Sequence, residues 1–209
     1  MKTKPNHYKV ILWDFDGVIV ESNKVREFGF RKVLEKFPES QIEDLIKFHK
    51  MNGGLSRYVK FRYFYEEICK TSISEEEVQI LADSFSEIML ESLGAKEFLI
   101  NDAVKFIESN SNSIEMNIVS GSDQNELRIL CSKLEIDRNF KFINGSPTPK
   151  NKLVADFLKK SNVKNEDVCL IGDSMNDYEA ASSNNIDFFG YNNLELKSYG
   201  VYINSFEFI

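Results

Sequence analysis

The chain has 209 residues, 42% hydrophobic and 28% charged, with a formal net charge of −7. This is a globular composition, long enough to bury a substantial core in one domain or in a core with a smaller companion. An acidic balance without a Lys/Arg stripe argues against nucleic acid as a partner, and no stretch approaches the ~18 apolar residues of a membrane span. Cys69, Cys131 and Cys169 are odd in number and form no CxxC. They read as reduced thiols of a cytoplasmic protein, not as zinc ligands or a disulfide framework.

In chain order, the apolar run Val10 to Trp13 leads directly into Asp14 and Asp16. Such a run reads as a parallel-sheet strand buried on both faces, with its carboxyl end loaded with charge. Four helices without an intervening strand are predicted next. The first runs from a Ser22 cap to Phe37, and the second from a Ser40/Glu43 capping box to about Lys50. The third spans about Ser56 to Lys70 and is dense in aromatics, and the fourth opens on a Ser74/Glu77 capping box and ends near Ser92.

From there helices and strands alternate. A helix over Ala95 to Ser109, breaking near Asn101-Asp102, precedes a strand from Ile114 to Val119 that ends on Ser120-Gly121-Ser122. Helix Asp123 to Leu134, strand Phe140 to Ile143, a loop through Pro149 and helix Lys150 to Lys160 follow. Strand Asp167 to Ile171 ends on Gly172-Asp173, and helix Ser174 to Asn184 leads to strand Ile186 to Tyr191, with a weaker strand near Val201 to Ile203. This alternation means βαβ units and a parallel sheet, an α/β fold.

Parallel strands place their carboxyl ends on one sheet edge, so Asp14, Asp16, Ser120, Asp173 and Asp177 should converge there. Carboxylates a few ångströms apart repel by roughly 4 kcal/mol per close pair at an effective dielectric near 20. A cation relieves that repulsion, and oxygen ligands without His or Cys select a hard ion such as Mg²⁺.

Asp14-Phe15-Asp16-Gly17-Val18, Val119-Ser120-Gly121, Lys150 and Gly172-Asp173-Ser174-Met175-Asn176-Asp177 resemble the four ordered motifs of the haloacid dehalogenase superfamily. The helical insert resembles the cap of its phosphoglycolate phosphatase and β-phosphoglucomutase branch. The resemblance implies a Rossmann-like core, residues 1–20 and 95–209, and an inserted helical cap, residues 21–94. It further implies a Mg²⁺-dependent phosphatase acting on a small phosphorylated metabolite such as phosphoglycolate or a sugar phosphate, working as a monomer or weak dimer. Asp14 would be the nucleophile and Asp16 the acid and base. Ser120, Gly121 and Lys150 would hold the phosphoryl group, with Lys150 preferred over nearby Lys152 because it stands at the predicted helix start. The metal set would be Asp14, the Asp16 carbonyl, Asp173 and Asp177, with Asp177 acting through water or steadying Lys150.

The second aspartate favours phosphatase or phosphomutase over dehalogenase, since a departing halide needs no proton. A sugar phosphomutase shares every core residue. A non-catalytic phosphometabolite-binding protein is a third reading, opposed by the complete acidic set. His49, Arg57 and Lys60 from the cap and Asn176 from the core are the candidate substrate contacts. Arg57 is the candidate for a second anionic group, because its fork suits planar anions.

Overall fold

The computed structural model describes residues 2–209, so residue 1, the first of the predicted core, lies outside it. Strands β1 (Val10–Trp13), β2 (Glu115–Asp123), β3 (Phe142–Ser146), β4 (Val168–Gly172), β5 (Asp187–Tyr191) and β6 (Val201–Ile203) form one sheet in the order β3-β2-β1-β4-β5-β6. Every strand pair is parallel. The arrangement is a Rossmann-like α/β fold with β1 at its centre, paired to β2 and β4.

The strand alternation of β1 divides the interior in two. Ile11 and Trp13 pack with Phe106, Ile107, Leu127 and Leu130 of helices α5 (Asn101–Asn110) and α6 (Gln124–Lys133). Val10 and Leu12 face Leu153, Val154 and Phe157 of α7 (Lys150–Lys160) and Ala180 and Ala181 of α8 (Met175–Ser183). All four β1 side chains are buried. Covering both faces is what makes an unbroken apolar run the right composition for this strand.

Beyond β1 the Phe15 carbonyl accepts from the N–H groups of Ile19 (2.9 Å) and Val20 (3.0 Å), a tight turn that delivers the chain to four helices. These are α1 (Asn23–Val33), α2 (Glu39–Met51), α3 (Arg57–Tyr63) and α4 (Glu75–Ser92). Their shared interior is aromatic, with Phe30 against Phe61, Phe85 and His49. Phe61 and Phe64 are fully buried, as their density in the sequence implies.

Several predicted elements shift. The Ser40/Glu43 capping box does not form; α2 begins at Glu39, directly after Pro38, whose fixed φ and extended ψ of 136° start the helix earlier. The third helix does not run on to Lys70, because α3 widens into a π turn at Phe64–Ile68. That turn is closed by Cys69 N–H on the Phe64 carbonyl (2.9 Å), and it lets Phe64 and Tyr65 both pack on Phe37. Strand β2 continues through Ser120-Gly121-Ser122, and β3 takes half of the predicted loop. The Gln124 side chain supplies the reason, donating to the Ile143 carbonyl and accepting from Gly145 N–H. The Ser74/Glu77 capping box and the helix from Lys150 to Lys160 stand as predicted. No helix of the described residues is long and apolar enough to cross a membrane.

Asp102, predicted as a helix break, has a larger part. It accepts from Tyr191 Oη (2.8 Å), Phe206 N–H (2.9 Å) and Ser205 Oγ (3.1 Å), joining the start of α5 to the C-terminal segment. Burial opposes its charge, but these donors outweigh that and hold its carboxyl below the usual range. A depressed folded pKa gives stability that is present above the unfolded value and is lost as pH falls through the folded one. Asp102→Ala should therefore cost about 1–3 kcal/mol in urea unfolding at neutral pH. The difference from wild type should shrink below about pH 4.

Candidate active site

The carboxyl edge of the sheet and the inner face of the helical segment meet around a cavity of about 50 Å³. Asp14, Asp16, Ser120 and Asp173 line its floor, and Arg26, His49, Arg57 and Lys60 its roof. Asp14 follows β1 directly, and its N–H donates to the Ile171 carbonyl of β4 (2.9 Å), which fixes it between the strands that bring Ser120 and Asp173. Gly17 has φ +73°, and a Cβ there would stand 2.0 Å from Asp173 Oδ2. Only glycine lets the turn pass that close to the second carboxylate.

Asp14, Asp173 and Asp177 each present a carboxylate oxygen within 4.8 Å of the others. Lys150 enters from the first position of α7, with Nζ 2.8 Å from Asp14 Oδ1, and also donates to Asp177 Oδ1. Asp177 Oδ2 accepts from Ser174 N–H (3.0 Å) and Oγ (2.6 Å), so both of its oxygens are engaged. Burial, then the charge of Asp177, push the Asp14 carboxyl up against the pull of Lys150. Burial and the charges of Asp14 and Asp177 raise Asp173 well above the carboxylate range. One lysine does not neutralise three acids. The unrelieved repulsion and the all-oxygen donor set fit a hard divalent cation held by Asp14 and Asp173, with Asp177 steadying Lys150.

Asp16 turns its carboxylate away from this cluster. Its oxygens accept from Ser22 Oγ, Arg26 Nε (2.9 Å) and Ser122 Oγ (2.5 Å). Burial opposes its ionisation, but the Arg26 charge and these three donors prevail and hold it at about 2. Arg26 extends the network to Ser122 Oγ (2.9 Å) and to Glu126 Oε1 (2.5 Å). The other Glu126 oxygen lies 2.5 Å from Arg57 Nη1. Arg57 also donates to Ser86 Oγ (2.6 Å) and stands 4.5 Å over the Phe85 ring.

Glu126, in the first turn of the core helix α6, is thus the shared counter-ion of two arginines from the helical segment, and all three are buried. Arg26, Ser122 and Glu126 were absent from the predicted site. Arg26 had a legible signal, standing four residues after Ser22 on the face that also carries Phe30. Glu126 had none, because an acid in a helix's first turn is ordinarily a solvated partner of the dipole.

Of the other predicted residues, Ser120 is buried in the cavity floor and accepts from Ser122 N–H (3.1 Å). Gly121 meets the helical segment, where a Cβ would stand 2.3 Å from the Gly54 carbonyl. His49 and Lys60 line the roof, with Lys60 Nζ 2.9 Å from His49 Nδ1 and 3.0 Å from the Gly53 carbonyl. Asn176 lines a separate cleft beyond the Gly54–Gly121 contact, with Lys150, Ser146 and Thr148. Lys152 is exposed and lines neither space.

Removing a shared buried counter-ion leaves two charges uncompensated. Glu126→Ala should cost about 3–5 kcal/mol in chemical unfolding. A loss below about 1 kcal/mol, the scale of an exposed pair, would mean that the arginines are solvated.

The chain is similar to known proteins along most of its length. A Thermotoga maritima protein named phosphorylated carbohydrates phosphatase is 25% identical over 194 residues, spanning 86% of this chain and 82% of that one. The β-phosphoglucomutase of Clostridium difficile superposes with a TM-score of 0.75 at 20% identity, covering 97% of this chain and 93% of its own. A magnesium-bound Bacillus subtilis haloacid dehalogenase-family hydrolase, YfnB, gives 0.71 at 16% identity, with 96% of each chain covered. The family model for haloacid dehalogenase-like hydrolases matches residues 11–191. With that match spanning nearly the whole chain, from β1 to the end of β5, the protein is an enzyme of the haloacid dehalogenase-like hydrolase family.

Proposed function

We propose that this enzyme is a Mg²⁺-dependent phosphatase of small phosphomonoesters, with residues 21–94 acting as a cap over a core formed by residues 1–20 and 95–209. The observation that carries the reading is the presence of Asp14 and Asp173 on the floor of the cavity, with Lys150 Nζ 2.8 Å from Asp14 Oδ1 and Asp16 two residues from Asp14. A nucleophile, a fixed cation and a metal-suited carboxylate pair are what phosphoryl transfer needs, since positioning and charge neutralisation dominate it. The Thermotoga relative, named a phosphatase, supports hydrolysis.

In this reading an Asp14 oxygen attacks phosphorus in line, and the P–O bond to the alcohol breaks. The leaving oxygen takes a proton from Asp16, giving the free alcohol and an aspartyl-phosphate on Asp14. Asp16, now a carboxylate, takes a proton from a water that attacks phosphorus, releasing phosphate and restoring both aspartates. Lys150 and Ser120, with the backbone N–H groups beside Asp14 and Ser120, hold the phosphoryl oxygens. Asp14, Asp173 and the Asp16 carbonyl would hold Mg²⁺, which when bound would further neutralise the charge on the phosphoryl oxygens. The closed cap limits the entry of bulk water and suits a small substrate.

An aryl phosphate assayed for phosphate release should be hydrolysed with Mg²⁺, and chelation should abolish that turnover. Asp14→Asn should be inactive, and full activity in that variant overturns the reading. Asp16→Asn should lose ~10² or more in kcat. Isomer exchange of a sugar phosphate without net phosphate release would replace hydrolysis by mutase chemistry. Arg26→Met removes the main force depressing Asp16, so its pKa should rise and the acidic limb of the rate profile should move to higher pH. An unmoved limb would detach Arg26 from the chemistry.

A further inference from the structure

Among the described residues, every buried cation around the cavity has a carboxylate partner except one. Lys150 has Asp14 and Asp177, Arg26 has Asp16 and Glu126, and Arg57 has Glu126. Lys60, on α3, is only 3% exposed and makes no ion pair among the described residues. Its neighbours are neutral acceptors, the His49 ring and the Gly53 carbonyl. Two acceptors serve two of the three ammonium donors, and the third has no partner among the described residues. Asp16, the acid on this side of the cavity, is already occupied by Ser22, Arg26 and Ser122.

Burial leaves this ammonium ill-placed. It lowers Lys60 to about 7, with Asp16 opposing the fall and Arg26, Arg57 and Lys150 adding to it. His49 cannot compensate, because burial and then the Lys60 charge keep its ring neutral, at about 2. A buried, unpaired cation is costly unless an anion arrives to pair with it. The cavity supplies the place for one, since Lys60 and Asp14 line the same enclosed space. The Phe30 and Phe85 rings and Leu55 line the same cavity, alongside the polar side chains of Asn23 and Ser122.

We propose that Lys60 is the anchor for a second anionic group on the substrate, a carboxylate or a second phosphate, so that the enzyme acts on compact phosphomonoesters with a charged tail. The roles divide differently from the sequence expectation. Arg57, expected to take that anion, already holds Glu126, whereas Lys60 has no such partner. The assignment rests on the phosphatase reading for the position of the first phosphoryl group, but its test does not need turnover.

Non-hydrolysable phosphonates separate the two. Wild type and Lys60→Met, each with Mg²⁺, are titrated calorimetrically with phosphonoacetate, methylenediphosphonate and ethylphosphonate. Methionine keeps the unbranched apolar stem and removes the charge. Wild type should bind one or both of the doubly anionic probes at least tenfold more tightly than ethylphosphonate, and the preferred probe identifies the tail as carboxylate or phosphate. In Lys60→Met that preference should fall below threefold, and Lys60→Arg should restore part of it. Equal binding of all three probes by wild type overturns the proposal, as does a preference that persists in Lys60→Met. Lys60→Gln gives the same reading if the methionine variant does not fold. A tenfold preference in an enzyme that hydrolyses no aryl phosphate would keep the anion site and refute the phosphatase reading. Hydrolysis without any preference would do the reverse.

Discussion

The repulsion among Asp14, Asp173 and Asp177 is the constraint on which the rest of the structure depends. Three acids within 4.8 Å, after β1, after β4 and in the first turn of α8, would drive the sheet edge apart or take up protons. The fold answers with Lys150, placed by the start of α7, and with Ser174, which occupies one oxygen of Asp177. What remains is a deficit of positive charge centred on Asp14 and Asp173. A hard divalent cation would relieve the same deficit, so the stability of this site and any metal binding there would be two expressions of one electrostatic imbalance.

A second charge system lies above it and has the opposite balance. Arg26, Arg57 and Lys60 enter from the helical segment, while Glu126 is a core residue and Asp16 stands at the start of the turn after β1. Ion pairs that cross between two parts of a chain strengthen as water is excluded, so this network favours the closed arrangement. Its geometry also explains why Asp16 and Asp14, only two residues apart, behave so differently. Asp14 faces other acids and is raised, whereas Asp16 faces a guanidinium and two hydroxyls and is depressed. Both directions run against the roles proposed for these residues, since the proton donor of such a pair is ordinarily its raised member.

How much of this was legible in the sequence depended on distance along the chain. Asp14, Asp16, Lys150, Asp173 and Asp177 lie just past a strand or in the first turn of a helix, where periodicity and capping patterns mark position, and Ser120 lies on β2 just after the predicted strand end. Their convergence follows from parallel strands sharing an edge. The partners Arg26, Ser122 and Glu126 carry no such marker, since whether a charged residue on an amphipathic helix is solvated depends on which helix lies opposite. Arg57 and Lys60 illustrate the same limit, being three residues apart on one helix with opposite fates. Only the tertiary arrangement puts Glu126 against Arg57 and leaves Lys60 facing neutral acceptors. The β3 boundary was illegible for a related reason, because a side chain from α6 holds Gly145 in place.

The depressed state of Asp16 links the two charge systems. Held at about 2, Asp16 is ionised at neutral pH and ready to accept a proton from water, but has no proton to give a leaving group. Each pKa unit corresponds to about 1.4 kcal/mol, so making it an acid near neutrality requires several kcal/mol of altered surroundings. In the proposed phosphatase reaction, an entering phosphoryl dianion would supply a change of that kind in two ways. It would add negative charge beside Asp16, and it would compete for Arg26, the strongest force keeping Asp16 ionised. A substrate that also neutralised Lys60 would remove the cation whose own charge favours an ionised Asp16. Proton delivery would then be conditional on a filled cavity, so that Asp16 becomes an acid when there is a leaving group to protonate.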